Sequence, residues 1–404
     1  MMKVVTFSLQ SLSSLKEINA QYYEEINHAQ ELGKKIAYVN VFSPAELFYA
    51  MDIIPVYPEN HSVFIQARKM TDEVTRFSEA EGYSPNICSY ALCDIGSAYS
   101  GISPVGGLPN PDFLYTSSCQ CSTLTKWFEV LSRHYNVPLY LLDVPFSGSR
   151  GFDNFALDYV KKQMNELVSF LEGITGKRLD YDHLKEILRI SEETCNHWKQ
   201  ILNAAAQIPS PLTVFDQFIA MAPIVSQRGC PVALDFYKKL KSEIDERVRL
   251  KMGAVPGERF RLYWDNLPVW RELKWLSNLF ASFGACLTST IYTLPWTSLD
   301  VNPRSPFESW ATQYLIYFNW NLERRVELIL DLKERFSLNG FVYHSNRSCK
   351  MLSLVVHEIE KAVTEATGTP GIVIDADHGD PRFYSLDQIR HQLEIYFDML
   401  SRLS

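Results

Sequence analysis

KKIAYVNVFSPAELFYAMD, Lys34 to Asp52, decides the fold class. Its first nine residues form a dense β-branched and aromatic run that stops at Ser43-Pro44, so it reads as a buried strand ending at Phe42. AELFYAMD follows as a short helix, with Ser43 as its N-cap and Pro44 at the first helical position. Further strands are predicted at IIPVYP near Ile53, DFLYTSS near Phe113 and PLYLLDVP near Leu139. Between the last two, STLTKWFEVLSRHYN is amphipathic at helical period and completes a β–α–β unit.

From about Phe155 to Lys251 the pattern is helical, with one Pro-marked break at IPSPLTVF. Strands return at RFRLYWD (Arg259 to Asp265), ACLTSTIY (Ala285 to Tyr292), GFVYHS (Gly340 to Ser345) and GIVIDAD (Gly371 to Asp377). The chain closes on a helix near QIRHQLEIYFDML. The expected architecture is α/β, with two open parallel-sheet domains and a site in the cleft between them. Its segments are an N-terminal helical stretch 1–33, a first α/β domain 34–154, a helical connector 155–255 and a second α/β domain 256–404.

Composition narrows the function. Of the 404 residues 46% are hydrophobic and 21% charged, the balance of a globular protein. A formal charge of −8 argues against nucleic-acid binding, because neutralising phosphates needs a basic face. No apolar run has the length of a membrane span, and MMKVVTFSLQSLSSLKEI lacks the pattern of a secretory signal. The expected location is therefore the cytoplasm, where the eight cysteines are thiols or metal ligands rather than a disulfide framework.

In open parallel sheets ligands bind outside the carboxyl ends of the strands. Cys119 and Cys121 fall just after the strand DFLYTSS, and Cys349 just after GFVYHS, each where a helix begins. Cys88 sits in the loop SPNICSYALCDIG, which leads into another helix. Helix N-termini favour thiolates, and thiolates converging from both halves suit an iron–sulfur cluster. Spacing alone leaves the bland alternative open: there is no CxxC pair, and intracellular cysteines are commonly small buried apolar residues. Cys93, Cys195, Cys230 and Cys286 have no partner pattern and read as structural.

FSPAELFYAMDIIPVYPENH, NICSYALCDIG, CSTLTKWFEVLSRHYNVPLYLLDVPF, RLYWDNLPVW and GFVYHSNRSCK follow one another in order across about residues 35 to 395. Together they resemble the 2-hydroxyacyl-CoA dehydratases and the related benzoyl-CoA reductase subunits. The resemblance implies a [4Fe-4S] cluster held by Cys88, Cys121 and Cys349, and no flavin or nicotinamide. Cys121 is preferred to Cys119 because the family's cysteine stands five residues before the lysine of its KWF motif, here Lys126; Cys119 is the substitute, or an extra ligand to a larger double-cubane cluster. The resemblance also implies an acyl-CoA thioester as substrate, a homologous second subunit, and an ATP-hydrolysing iron–sulfur activator that injects one electron. The reaction it implies is radical elimination of water from an (R)-2-hydroxyacyl-CoA through a ketyl. Ring reduction of benzoyl-CoA, a double-cubane reductase, and a non-catalytic partner subunit are the alternatives.

Proton handling beside a cluster calls for a carboxylate or hydroxyl after a strand. Ser43 and Glu59 are the candidates, and His61 in the same PENH turn is the substitute. Glu46 reads as packed in its helix. Asp375, Asp377 and Asp380 of DADHGD read as a hydrogen-bonded turn, with a divalent-metal site the lesser alternative. Arg347 and Lys350 flank Cys349 and suit either an anionic ligand or solvent.

Overall fold

The computed structural model describes residues 7–146, 151–297, 301–317 and 321–403; residues 1–6 of the expected N-terminal segment lie outside them. All eight expected strands form: β1 (Lys35–Val39), β2 (Ile53–Val56), β3 (Phe113–Ser117), β4 (Leu139–Leu142), β5 (Phe260–Asp265), β6 (Ala285–Thr290), β7 (Gly340–Asn346) and β8 (Gly371–Ala376). They build two four-stranded sheets of orders β2-β1-β3-β4 and β6-β5-β7-β8, with every pairing parallel. This is the two-domain α/β fold, and the two sheets have the same topology.

Parallel strands covered by helices on both faces are buried throughout, and β3, β5 and β6 have no exposed residue. Their alternation sorts side chains into two apolar cores. Ala37 and Val39 join one, and Ile36 and Tyr38 the other. In the second half Tyr263 and Tyr343 join the first core, Leu262 and Val342 the second.

The connector consists of helices Asn154–Thr175, Tyr181–Ala204, Val214–Ala220, Ala222–Ser226 and Pro231–Arg249. It braces both halves. Glu46, buried in the helix Ala45–Ala50, accepts from Arg228 Nε at 2.7 Å and from the Ser191 hydroxyl. Trp198 Nε1 donates to the Thr293 carbonyl at 3.1 Å, behind β6.

One local expectation is corrected. Pro44, not Ser43, stands at the N-cap of Ala45–Ala50, and no side chain caps that helix. Ser43 instead lends its carbonyl to Ala45 N at 2.9 Å and to Arg228 Nη2 at 3.1 Å, and its hydroxyl lies beside that of Tyr57. Among the described residues, no helix is long and apolar enough to cross a membrane.

Candidate cluster and substrate site

The strand order of each sheet reverses between its first and third strands, and loops beyond such switch points form ligand sites. Here the two switch points face one cavity of about 160 Å³. Val41 and Phe42 follow β1, Glu59 and Val63 follow β2, and Gln120 and Cys121 follow β3. The second sheet answers with Asn266 and Leu267 after β5, Ile291 and Tyr292 after β6, and Cys349 after β7. Cys88 reaches the cavity from the crossover between β2 and β3, and His378 from beyond β8.

The three cavity thiols share one local design. Each occupies the N-cap of a helix: Ser89–Ser100 for Cys88, Ser122–Tyr135 for Cys121 and Lys350–Ser353 for Cys349. The backbone amides of the first helical turn work to lower each thiol's pKa: Tyr90 and Ala91 at Cys88, Thr123 and Leu124 at Cys121, Met351 and Leu352 at Cys349. The Leu124 N to Cys121 Sγ distance is 3.3 Å. In the free protein burial pushes all three thiols up, Cys121 to about 12, Cys349 to about 11 and Cys88 well above its usual value. The thiolate charges of Cys121 and Cys349 add to the rise at Cys88, which places the three within electrostatic reach of one another.

A carboxylate ties the two halves of this arrangement. Asp377 accepts from the hydroxyl of Ser89 at 2.6 Å and from that of Ser348, the neighbours of Cys88 and Cys349. The amides of Gly379 and Asp380, both at 2.8 Å, complete its shell. Burial works to raise its pKa, but His378 and these donors hold it below the ordinary carboxylate range. Asp375 pairs with Arg347 and Asp380 with Arg382, so DADHGD is a hydrogen-bonded turn. Among the described residues no set of three His, Cys, Asp or Glu side chains could hold a single metal ion. The three cysteines line a common space from helix N-termini, a donor set that suits a multi-atom cluster.

Glu59 lies in the first turn of the helix Pro58–Ala67, buried against the cavity. It accepts from Val41 N at 2.8 Å and Gln120 Nε2 at 2.7 Å, while burial, the larger effect, pushes its pKa up to about 7. The other candidates stand elsewhere. His61 points away, its Nδ1 3.2 Å from Asp94 and its Nε2 2.9 Å from the Ser103 hydroxyl. Asp94 in turn holds Trp127 Nε1 at 3.0 Å, which fixes a wall of the cavity. Ser43 and Cys119 are not among the cavity-lining residues; the half-buried Cys119 has its thiol 3.4 Å from Ser117 Oγ. Cys93, Cys195 and Cys286 are buried, and Cys230 caps the helix Pro231–Arg249. The roles of Asp377, Gln120 and His378 escaped sequence reasoning; their only signal was adjacency to a cysteine or to a strand end.

Two like-ordered parallel sheets with cysteine-bearing helix caps at their facing carboxyl ends define a thiol-lined, two-domain α/β protein. Residues 40–400 match the family model described as 2-hydroxyglutaryl-CoA dehydratase, D-component, and the chain belongs to that family. It is 30% identical over 384 residues to the (R)-2-hydroxyisocaproyl-CoA dehydratase alpha subunit of Clostridioides difficile, covering 94% of this chain and 93% of that one. Identity is also 30% to the alpha subunit of lactoyl-CoA dehydratase from Anaerotignum propionicum, over 93% of each chain. A benzoyl-CoA reductase subunit of Thauera aromatica matches at 30% over 97% of this chain and 95% of its own length.

Proposed function

We propose that this chain is the iron–sulfur subunit of an (R)-2-hydroxyacyl-CoA dehydratase, working with a homologous partner subunit and a separate ATP-hydrolysing activator. The observation that carries this reading is the placement of Cys88, Cys121 and Cys349, each at the N-cap of a helix, around the cavity that Glu59 also lines. Those three residues are the proposed ligands of a [4Fe-4S] cluster. When bound, it supplies a low-potential electron and Lewis-acidic iron.

The chain's own residues have definable tasks. The helix N-termini at all three sulfurs, and the Leu124 amide on Cys121, offset negative charge there. Glu59 carries one proton: it gives its own proton to the hydroxyl leaving C2 and regains one from C3 in the next step, so the elimination releases water and the enoyl thioester. A carboxyl poised near neutrality suits both halves of that transfer. The apolar wall, with Trp127 held by Asp94, keeps bulk water from the reacting carbon. His61 acts on that wall through Asp94 and is a positioning residue.

Equal identity to a benzoyl-CoA reductase subunit supports ring reduction as the second reading. The complex, purified without oxygen and supplied with activator, ATP and reductant, separates the two. Turnover of a 2-hydroxyacyl thioester on catalytic amounts of electrons supports the dehydratase. Stoichiometric consumption of electrons with benzoyl-CoA, and no dehydration, would replace it with the reductase.

A further inference from the structure

The cavity's chemistry bears on the acyl group, given the thioester reading above. Phe42 and Trp296 stack with centroids 5.1 Å apart and planes at 25°, forming one wall; Val63, Trp127, Leu267 and Ile291 continue the apolar lining. No lysine or arginine lines it among the described residues. Arg325, whose charge reaches Cys349, is committed to Asp265 at 2.7 Å and to the Leu352 carbonyl at 3.0 Å.

Two of the polar lining side chains, Gln120 and Asn266, are committed within the protein. Gln120 gives its amide to Glu59 at 2.7 Å and takes Asn40 Nδ2 on its oxygen at 2.9 Å. Asn266 donates to the His344 carbonyl and to Ser353, both at 2.9 Å, and accepts from Leu267 N. Burial keeps His378 toward its neutral form. A carboxylate brought here would lose its water and meet no lysine or arginine among the described lining residues, with the Glu59 carboxyl beside it.

We infer that the cavity accepts an uncharged, apolar acyl group, aliphatic or aryl, and rejects an acyl chain that ends in a second carboxylate. Excluding the dicarboxylate needs no clash: the unpaired charge suffices. The walls fill the role of a specificity pocket, with Trp127 and the Phe42–Trp296 pair as its aromatic faces.

The test compares 2-hydroxyisocaproyl-CoA with 2-hydroxyglutaryl-CoA on the anoxically purified complex. Binding is read by calorimetry without activator, and kcat/KM with it. The expected result is at least a roughly 100-fold preference for the isocaproyl thioester in both readouts. Val63→Lys, and Met351→Lys at a more exposed lining position, should each narrow the preference at least about tenfold by supplying the missing cation. Equal binding and turnover of the two thioesters would overturn the inference and leave the dehydratase reading standing. A preference that both lysine variants leave unchanged would place the selection outside this cavity and overturn it as well. No binding of either thioester by an iron-replete complex would sink both readings.

Discussion

Ser89 and Ser348 lie 259 residues apart, yet both hydroxyls donate to the single carboxylate of Asp377. Each serine adjoins a cavity cysteine, so the spacing between the Cys88 and Cys349 turns is set by one buried acid.

Asp377→Asn replaces an acceptor-only group with an amide that must turn a donor toward one of its partners. The expected cost is about 1–3 kcal/mol, the penalty of an unsatisfied buried polar group. Because the native pKa is depressed, the stabilisation is present above the unfolded carboxyl range and is lost as pH falls through the lower folded value. Acid unfolding of the metal-free protein should show this loss in wild type and lack it in the variant. Iron release to a chelator should be several-fold faster in Asp377→Asn.

Glu59 runs the opposite way. Its pKa is raised to about 7, so the folded state holds a proton that the unfolded chain has released, and its contribution falls as pH rises from about 4.5 toward 7. The slope of this single group is at most about 1.4 kcal/mol per pH unit. Glu59→Gln should remove that slope, retain iron and abolish turnover. Full activity at normal iron content would exclude Glu59 as the proton carrier.

The Glu46–Arg228 pair is buried on both sides, at 0% and 4% side-chain exposure. Glu46→Ala leaves an uncompensated guanidinium and should cost about 3–5 kcal/mol, whereas Glu46→Met with Arg228→Met should cost much less. Denaturant midpoints of the single and double variants measure the coupling.

The strands were legible because parallel strands buried on both faces need dense β-branched and aromatic runs, and KKIAYVNVF and RFRLYWD leave little alternative. The cysteines were legible as strand-end residues, and the family resemblance selected among them. Other features depend on tertiary pairing. Ser43 preceding Pro44 looks like a cap, but Pro44 takes the N-cap position and Arg228, from a distant segment, binds the Ser43 carbonyl. His61 shares a turn with Glu59, yet it lies on the far side of its helix, against Asp94. Asp377 looks like one acid among three until two serines from different halves meet it.

Cys119 and Cys121 offer a direct contrast. Cys121 lines the cavity and accepts from Leu124 N, while the Cys119 thiol lies 3.4 Å from Ser117 Oγ and is absent from the cavity lining. Cys119→Ser should keep iron content near wild type, and Cys121→Ser should lower it sharply. The reverse pattern would move the ligand to Cys119.

The central claim is tested most directly by iron and acid-labile sulfide analysis of the anoxically purified protein, alongside its visible spectrum. The account predicts about four irons and four sulfides per chain, a broad absorption bleached by air, and loss of both in the Cys88, Cys121 and Cys349 serine variants. A folded chain that binds no iron, or three variants that keep it, would contradict the account.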